Sequence, residues 1–483
     1  MAATLQIIAY NAVMLSLCAR VLMQPRLEPS ARLAWVLVIA VIPFAGILAY
    51  VMFGEIRVGR AEMRARRGAR LHVSRIYDHS APPWPDLQPW AEPVARSGQA
   101  VGGLPIAGGN RLMLLPEDDS AFDPIIRAID GATHHVHLMF YIWLADVSGG
   151  RVAAAAIRAA GRGVAVRVIV DEVGSRPFMR SPWWARMVEA GVECRAALPV
   201  GFPLLRALEQ RLDLRNHRKI VLIDGRIAFT GSRNCSDLAF RHKPRFAPWI
   251  DILIECEGPV VRQMQTAFVV DWVDAGGDYL PDLLAPQGTG GDAPGDAACD
   301  GNVPAQMIPT GPDRSYGSMS ETFATLVHGS RERVVICTPY YVPDEPLDSA
   351  IRSAARRGVE VHLILPERND SMIVAATSQG FWNGLMRAGV NLHLFRGGLL
   401  HAKVVTVDSR MAIIGSANLD RRSFELNYEL NMFLADPITV AALDIRLRSY
   451  LDRSRKVDID EVRGWPWYQR LRNNILALAS PLL

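Results

Sequence analysis

Two stretches of this chain repeat one spacing, and the repetition limits the folds open to it. Leu214-Arg215-Asn216-His217-Arg218-Lys219 runs through Ile220-Val221-Leu222-Ile223 to Asp224, and Leu400-His401-Ala402-Lys403 runs through Val404-Val405-Thr406-Val407 to Asp408. Both read His-x-Lys-x4-Asp. The apolar, β-branched run after each lysine marks a buried strand. Side chains alternate across a strand, so His217 shares a face with Lys219, and His401 with Lys403. Counted from each histidine, both copies place glycine at +14 (Gly231, Gly415), serine at +15 (Ser232, Ser416) and asparagine at +17 (Asn234, Asn418). A lone histidine beside a lysine is usually a surface pair. Agreement at six positions is hard to reach by chance.

The repetition extends beyond the motif. Val136 to Trp143 reads as a strand, Val152 to Ala160 as a helix and Val164 to Val170 as a second strand. Later, Val334-Val335-Ile336-Cys337 answers the first strand, Ile351 to Val359 answers Ile157 to Val164, and Ala388-Gly389-Val390 answers Ala190-Gly191-Val192. The chain therefore reads as a duplicated α/β unit with mixed sheets, its halves at 109–284 and 305–483. Residues 285–304, dense in Gly, Asp, Pro and Ala, have little to bury and read as a flexible linker. The acidic cluster Pro116-Glu117-Asp118-Asp119-Ser120 reads as a helix N-terminus. His134, His135 and His137 lack a carboxylate or cysteine at ligand spacing and read as a turn entering a strand, so no metal site is expected.

The first 57 residues read as a transmembrane helical hairpin. Leu33 to Phe53 is an uncharged run of 21 residues, which as a helix spans ~31 Å, about one hydrocarbon core. Leu5 to Met23 is a weaker span containing Asn11 and Arg20. Arginines 57, 60, 64, 66, 67 and 70 follow the hairpin, and this excess predicts a cytoplasmic body on a multi-pass membrane protein, held near anionic lipid. Residues 58–108 form a juxtamembrane connector, loose from 78 onward. The C-terminal segment from Trp465 to Leu483 mixes aromatics, arginines and aliphatics. It reads either as an interfacial anchor or as a last helix packed on the body.

Of the 483 residues half are apolar and the net charge is only +4, too little to argue for nucleic acid over the whole surface. Six widely spaced cysteines without a C-x-x-C favour neither a disulfide framework nor a zinc site. No phosphate-binding or dinucleotide glycine motif is present.

Two His-Lys pairs meeting in one cleft would surround a tetrahedral anion with cationic donors from Lys219 and Lys403, joined by Asn234 and Asn418. One histidine would attack phosphorus and the other, as imidazolium, would protonate the leaving alkoxide, with no metal or other cofactor required. Asp224 and Asp408 complete the motifs and stand among the catalytic candidates. Their strand parity is wrong for the histidines' face, so they read as supporting or turn-forming residues.

The paired His-x-Lys-x4-Asp with trailing Gly-Ser-x-Asn resembles the phospholipase D superfamily. Arg215-Asn216-His217-Arg218-Lys219, Gly415-Ser416-Ala417-Asn418-Leu419-Asp420-Arg421-Arg422-Ser423-Phe424 and the N-terminal hairpin are similar to bacterial cardiolipin synthases. The resemblance implies a covalent phosphohistidine, with attack assigned to His217 and acid–base work to His401. It implies two phosphatidylglycerol substrates, one donating its phosphatidyl group to the other with release of glycerol, and no nucleic acid partner. It also implies that an acidic residue on a later strand orients each histidine: Glu429 for His401 and Asp251 for His217. Ser232 and Ser416 join the phosphate-binding candidates. Ile250 stands where such relatives usually carry arginine, and Ser232 where many carry glycine. The same catalysis also suits a phospholipase D-type hydrolase or a transferase with another alcohol acceptor. A nuclease and an inactive membrane scaffold are disfavoured by the hairpin and by the two complete motifs.

Overall fold

A computed structural model describes residues 2–25, 27, 29–55, 57, 66, 68, 84–201, 211, 213–240, 242–284, 301–313 and 318–478. The first half contributes strands β1 (Ala107–Leu114), β2 (His135–Phe140), β3 (Ala165–Asp171), β4 (Glu193–Ala197), β5 (Arg215–Asn216), β6 (Ile220–Ile223), β7 (Ile227–Gly231), β8 (Trp249–Ile250) and β9 (Leu253–Glu257). The second contributes β10 (Val303–Thr310), β11 (Arg333–Cys337), β12 (Tyr341–Val342), β13 (Glu360–Pro366), β14 (Asn391–Phe395), β15 (Leu399–Leu400), β16 (Val404–Val407), β17 (Met411–Gly415), β18 (Leu419–Asp420), β19 (Asn427–Leu434) and β20 (Ser454–Lys456).

The duplication is visible in the strand order. The first half runs β4-β3-β2-β6-β7-β9-β1 and the second β14-β13-β11-β16-β17-β19-β10, with β20 added at the outer edge. In each half the outer three strands are parallel, and the rest alternate in direction. Parallel neighbours need crossover helices. Val147–Gly161 begins after Asp146, whose carboxylate caps Gly149 N, and Glu345–Arg356 begins after Asp344, which caps Leu347 N. The antiparallel pair β1–β10 joins the halves into one sheet.

The central core lies where the halves meet. Helix Pro259–Asp274 is almost wholly buried, and its Met264, Phe268 and Trp272 pack with Met307, Ile414, Leu443 and Leu447. Burying each large apolar side chain contributes about 1.5–3 kcal/mol. Two short strands then cross between the halves. β5 pairs in parallel with β19, and β8 pairs in parallel with β15.

Several expectations need correction. Leu33–Phe53 is not one continuous helix: it divides into Pro29–Val41 and Ala45–Phe53, separated at Ile42-Pro43-Phe44. Proline cannot donate to the helical ladder, and Phe44 takes a left-handed φ of 58°. The long uninterrupted apolar helix is instead the first, Ala2–Leu22, and within it Thr4–Leu22 is long and apolar enough to cross a membrane. Its Arg20, though largely exposed, makes two hydrogen bonds to Glu55. Val21, Trp35, Ile39 and Tyr50 pack the three helices together.

The connector is described from Trp84 onward. Helix Glu92–Gly102 buries Val94, Ala95 and Val101 against Ile308 and Phe323 of the second half. Its apolar positions recur at helical spacing, a signal diluted by neighbouring Gly and Pro. Residues 285–300 of the linker, the arginines at 60, 64, 67 and 70, and the last five residues lie outside the described residues. The acidic cluster does start a helix: Asp118 caps Ser120 N ahead of Phe122–Asp130.

Candidate active site

Each motif histidine follows one of the crossing strands. After β5, the His217 backbone donates to Tyr428 O at 2.9 Å, and after β15 the His401 backbone donates to Ile250 O at 2.7 Å. The histidine of each half is therefore docked on the strand of the other. The carboxylates follow the same crossing. Glu429 lies next to Tyr428 and accepts from His217 Nδ1 at 3.0 Å; Asp251 lies next to Ile250 and accepts from His401 Nδ1 at 2.7 Å. This reverses the expected pairing, in which Glu429 served His401 and Asp251 served His217. The expectation kept each pair within one half, whereas the strand exchange hands each carboxylate to the other.

The serines hold the carboxylates. Ser232 Oγ donates to Asp251 at 2.6 Å and Ser416 Oγ to Glu429 at 2.5 Å, so both sit behind the histidines rather than at a phosphate. Asn427 adds a hydrogen bond to the other oxygen of Glu429. His217 Nδ1 is also 3.0 Å from Ser416 O. With Nδ1 engaged, Nε2 of each ring is left for substrate.

Lys219 and Lys403 are buried, each with Nζ donating to the carbonyl oxygen of its own histidine. Burial lowers Lys219 to about 7 and Lys403 to about 8, against the upward pull of Glu429 and Asp251. Burial likewise takes His217 down to about 4 despite Glu429, and lowers His401 despite Asp251. Burial pushes the carboxylates up, yet Asp251 beside His401 and Lys403, and Glu429 beside His217 and Lys219, are held below the usual carboxylate range and so stay ionised. Before substrate arrives, the site holds two ionised carboxylates and a neutral His217.

Both histidines line one cavity of about 450 Å³. Tyr141 and Trp249 cover their rings, with centroids 4.8 Å away in each case. Asn234 and Asn418 also line it. Asn234 Oδ1 accepts from Ile142 N, which leaves its amide group for the cavity, and Asn418 Nδ2 donates to Asp420. Arg215, Arg422 and Lys243 line it as well, together with Asp370, which binds Lys243, and Asp420.

Asp224 and Asp408 are not at this site. Asp224 accepts from the backbone N–H groups of Thr133, His134 and His135, and Asp408 from those of Arg331, Glu332 and Arg333. They secure the starts of β2 and β11. Tyr141, which covers His217, lies just past the other end of β2, roughly 20 Å along a strand. The reading as turn-forming residues is the one the geometry supports, and their place among catalytic candidates is corrected. The same contacts account for His134 and His135 as a turn entering a strand.

Sequence reasoning missed a buried layer beneath the motif. Arg218 donates to Asp271, to Thr310 O and to Glu429 O, and Asn216 Nδ2 also binds Asp271. Arg66, from the segment after the hairpin, binds Asp271 and Asp274 and stacks over the Tyr428 ring. The available signal was two aspartates inside the otherwise apolar run Phe268-Val269-Val270-Asp271-Trp272-Val273-Asp274. Acids so placed need cationic partners.

Two reciprocally supported histidines line one cavity, and two buried lysines bond their carbonyl oxygens, the parts that a centre of the phospholipase D type requires. The sequence matches the family described as cardiolipin synthase, PLD-like domain, over residues 125–272 and 324–450, and the phospholipase D-nuclease N-terminal family over residues 12–55. It is 35% identical to cardiolipin synthase A of Klebsiella pneumoniae (strain 342), over 99% of this chain and 98% of that one. Identity to cardiolipin synthase A of Edwardsiella ictaluri (strain 93-146) is 36%, with the same coverage. The chain belongs to the cardiolipin synthase family. Its fold is also similar to that of phosphatidylserine synthase from Haemophilus influenzae Rd KW20, with a TM-score of 0.58 at 14% identity, over 81% of this chain and all of that one.

Proposed function

We propose that this protein is a membrane-associated phosphatidyl transferase that makes cardiolipin from two molecules of phosphatidylglycerol. The observation that carries the reading is the pair of crossed His–carboxylate contacts facing one cavity. A two-step transfer needs a neutral nucleophile and a proton carrier on opposite sides of one phosphorus.

His217 Nε2 attacks phosphorus of the donor, the bond to the departing glycerol oxygen breaks, and His401 gives that oxygen its proton. The terminal hydroxyl of the second phosphatidylglycerol then loses its proton to His401 and attacks phosphorus, and the bond to His217 breaks. One phosphodiester replaces another, so no nucleotide is consumed. The lowered His217 suits the attacking role. Burial lowers His401 as well, and Asp251 at 2.7 Å pulls it back up, the direction a proton carrier needs. Lys219 and Lys403 supply positive charge against the phosphoryl oxygens.

The body lies on the cytoplasmic face of a multi-pass N-terminal anchor, a placement supported by the arginines after Phe53. A reporter active only outside the cytoplasm should stay silent when fused after Leu483.

Purified protein incubated with phosphatidylglycerol vesicles, followed by lipid mass spectrometry, tests the reaction. Cardiolipin with an equal amount of glycerol is the expected product. Phosphatidic acid as the main product would instead make water the acceptor and the protein a hydrolase.

A further inference from the structure

Helix Trp467–Leu478 resolves the two readings of the C-terminal segment by meeting both. One side packs on the protein. Asn473 is buried and donates to Gln379 Oε1 at 3.0 Å, and Gly380 lies so close that a Cβ there would sit 2.8 Å from Ala477 Cβ. The other side is bare: Trp467, Tyr468, Leu471 and Ile475 are all at least half exposed. At about 100° per residue these four fall within an arc of about 100°, opposite Asn473. Arg470 and Arg472 flank the arc, about 60° and 40° beyond its edges.

Beside this face is a cavity of about 230 Å³ between the helix and Met372–Ala388. Arg387, Arg463 and Arg470 line it with Gln379, Asn383 and Asn474, and no acidic side chain lines it among the described residues. Gly380 faces Ala477 while Arg387 and Arg470 share the cavity, so the two helices run antiparallel. The end of Trp467–Leu478 therefore points toward the start of Met372–Ala388. That start is the rim of the catalytic cavity: Ser371 and Val374 line the cavity, and Met372 and Ile373 stand exposed beside it.

We propose that the bare face of Trp467–Leu478, with the arginine-lined cavity beside it, docks the second half onto an anionic phospholipid bilayer and sets the catalytic mouth at headgroup depth. An apolar arc with aromatic residues at one end and arginines along both edges matches the boundary between acyl chains and headgroups. The cavity matches a phosphate headgroup in charge. A second copy of this chain would have to cover the same arc while burying its flanking arginines. The proposal rests on the reading that the substrate is a membrane phospholipid.

The test uses the full chain reconstituted in vesicles of phosphatidylcholine with or without phosphatidylglycerol. The photoreactive residue benzoylphenylalanine is placed at Ile373, Leu471 or Ile475, and at exposed Glu321 as the reference. Lipid adducts are expected at the first three positions and not at the fourth, with higher yield when phosphatidylglycerol is present. The Arg387→Gln, Arg470→Gln double variant should lower the yield at Leu471 by roughly fivefold per arginine lost, up to about 30-fold, in those vesicles. Adducts joining two protein chains, or lipid yields no higher than at Glu321, would overturn the docking surface. An unchanged yield in the double variant would overturn the headgroup cavity. Cardiolipin formation is measured in the same vesicles, so the transfer reaction and the docking surface can each fail alone.

Discussion

His217 and Glu429 lie 212 residues apart in the chain and 3.0 Å apart in the fold. His401 and Asp251 repeat the relationship across 150 residues at 2.7 Å. Neither half can orient its own histidine, so an isolated half has no complete site.

The crossed pairing predicts which imidazole each carboxylate controls. Glu429→Gln should shift the hydrogen-bonded Nδ1 proton resonance of His217 and leave that of His401 in place; Asp251→Asn should do the reverse. Each substitution should reduce turnover by about 10²-fold or more, the usual loss when the partner that orients a reacting imidazole is removed. Nitrogen-labelled histidine spectra of the two variants check this, and pairing within each half would exchange the shifted signals.

Asp224→Asn and Asp408→Asn should behave differently. Each carboxylate accepts three backbone N–H bonds at a strand start. Asparagine offers one acceptor oxygen, so at least one N–H loses a charged partner at a cost of about 1–3 kcal/mol. Turnover of the protein that remains folded should stay within a few-fold of the parent. Denaturant unfolding and activity per folded molecule separate the two effects.

The lysines predict a pH dependence with a definite sign. Their folded values of about 7 and about 8 lie below the ordinary lysine value. Between about pH 7 and 10 the unfolded chain therefore holds more protons, and these two groups make stability rise with pH. Lys219→Met should flatten that rise. A bound tetrahedral anion favours the ammonium forms, so tungstate should stabilise the protein most at pH 7 and progressively less toward pH 9.5. Thermal unfolding with and without tungstate measures both trends, and stabilisation by tungstate that grows with pH would contradict them.

The histidines should separate in a trapping experiment. His401→Ala leaves a nucleophile with no proton carrier, so slow attack should strand an acid-labile phosphatidyl adduct on His217. His217→Ala should yield none. Peptide mapping without acid decides it, and an adduct on His401 in the His217→Ala protein would exchange the roles.

The amino-acid sequence by itself determined the duplicated α/β unit, the two His-Lys pairs and the chemistry they imply, because strand alternation and motif spacing are local properties. It also showed that Asp224 and Asp408 point away from the histidines, through their odd offset along the strand. Three matters were decided by tertiary structure alone. The partner of each histidine depends on β5 joining β19 and β8 joining β15, contacts between segments that no local pattern connects. The division of Leu33–Phe53 depends on how the chain turns after Pro43, since an apolar run has the same composition straight or broken. The burial of Arg66 and Arg218 against Asp271 depends on distant segments reaching one helix. Local periodicity reports which face of an element is apolar. What lies against that face is set by packing among the elements.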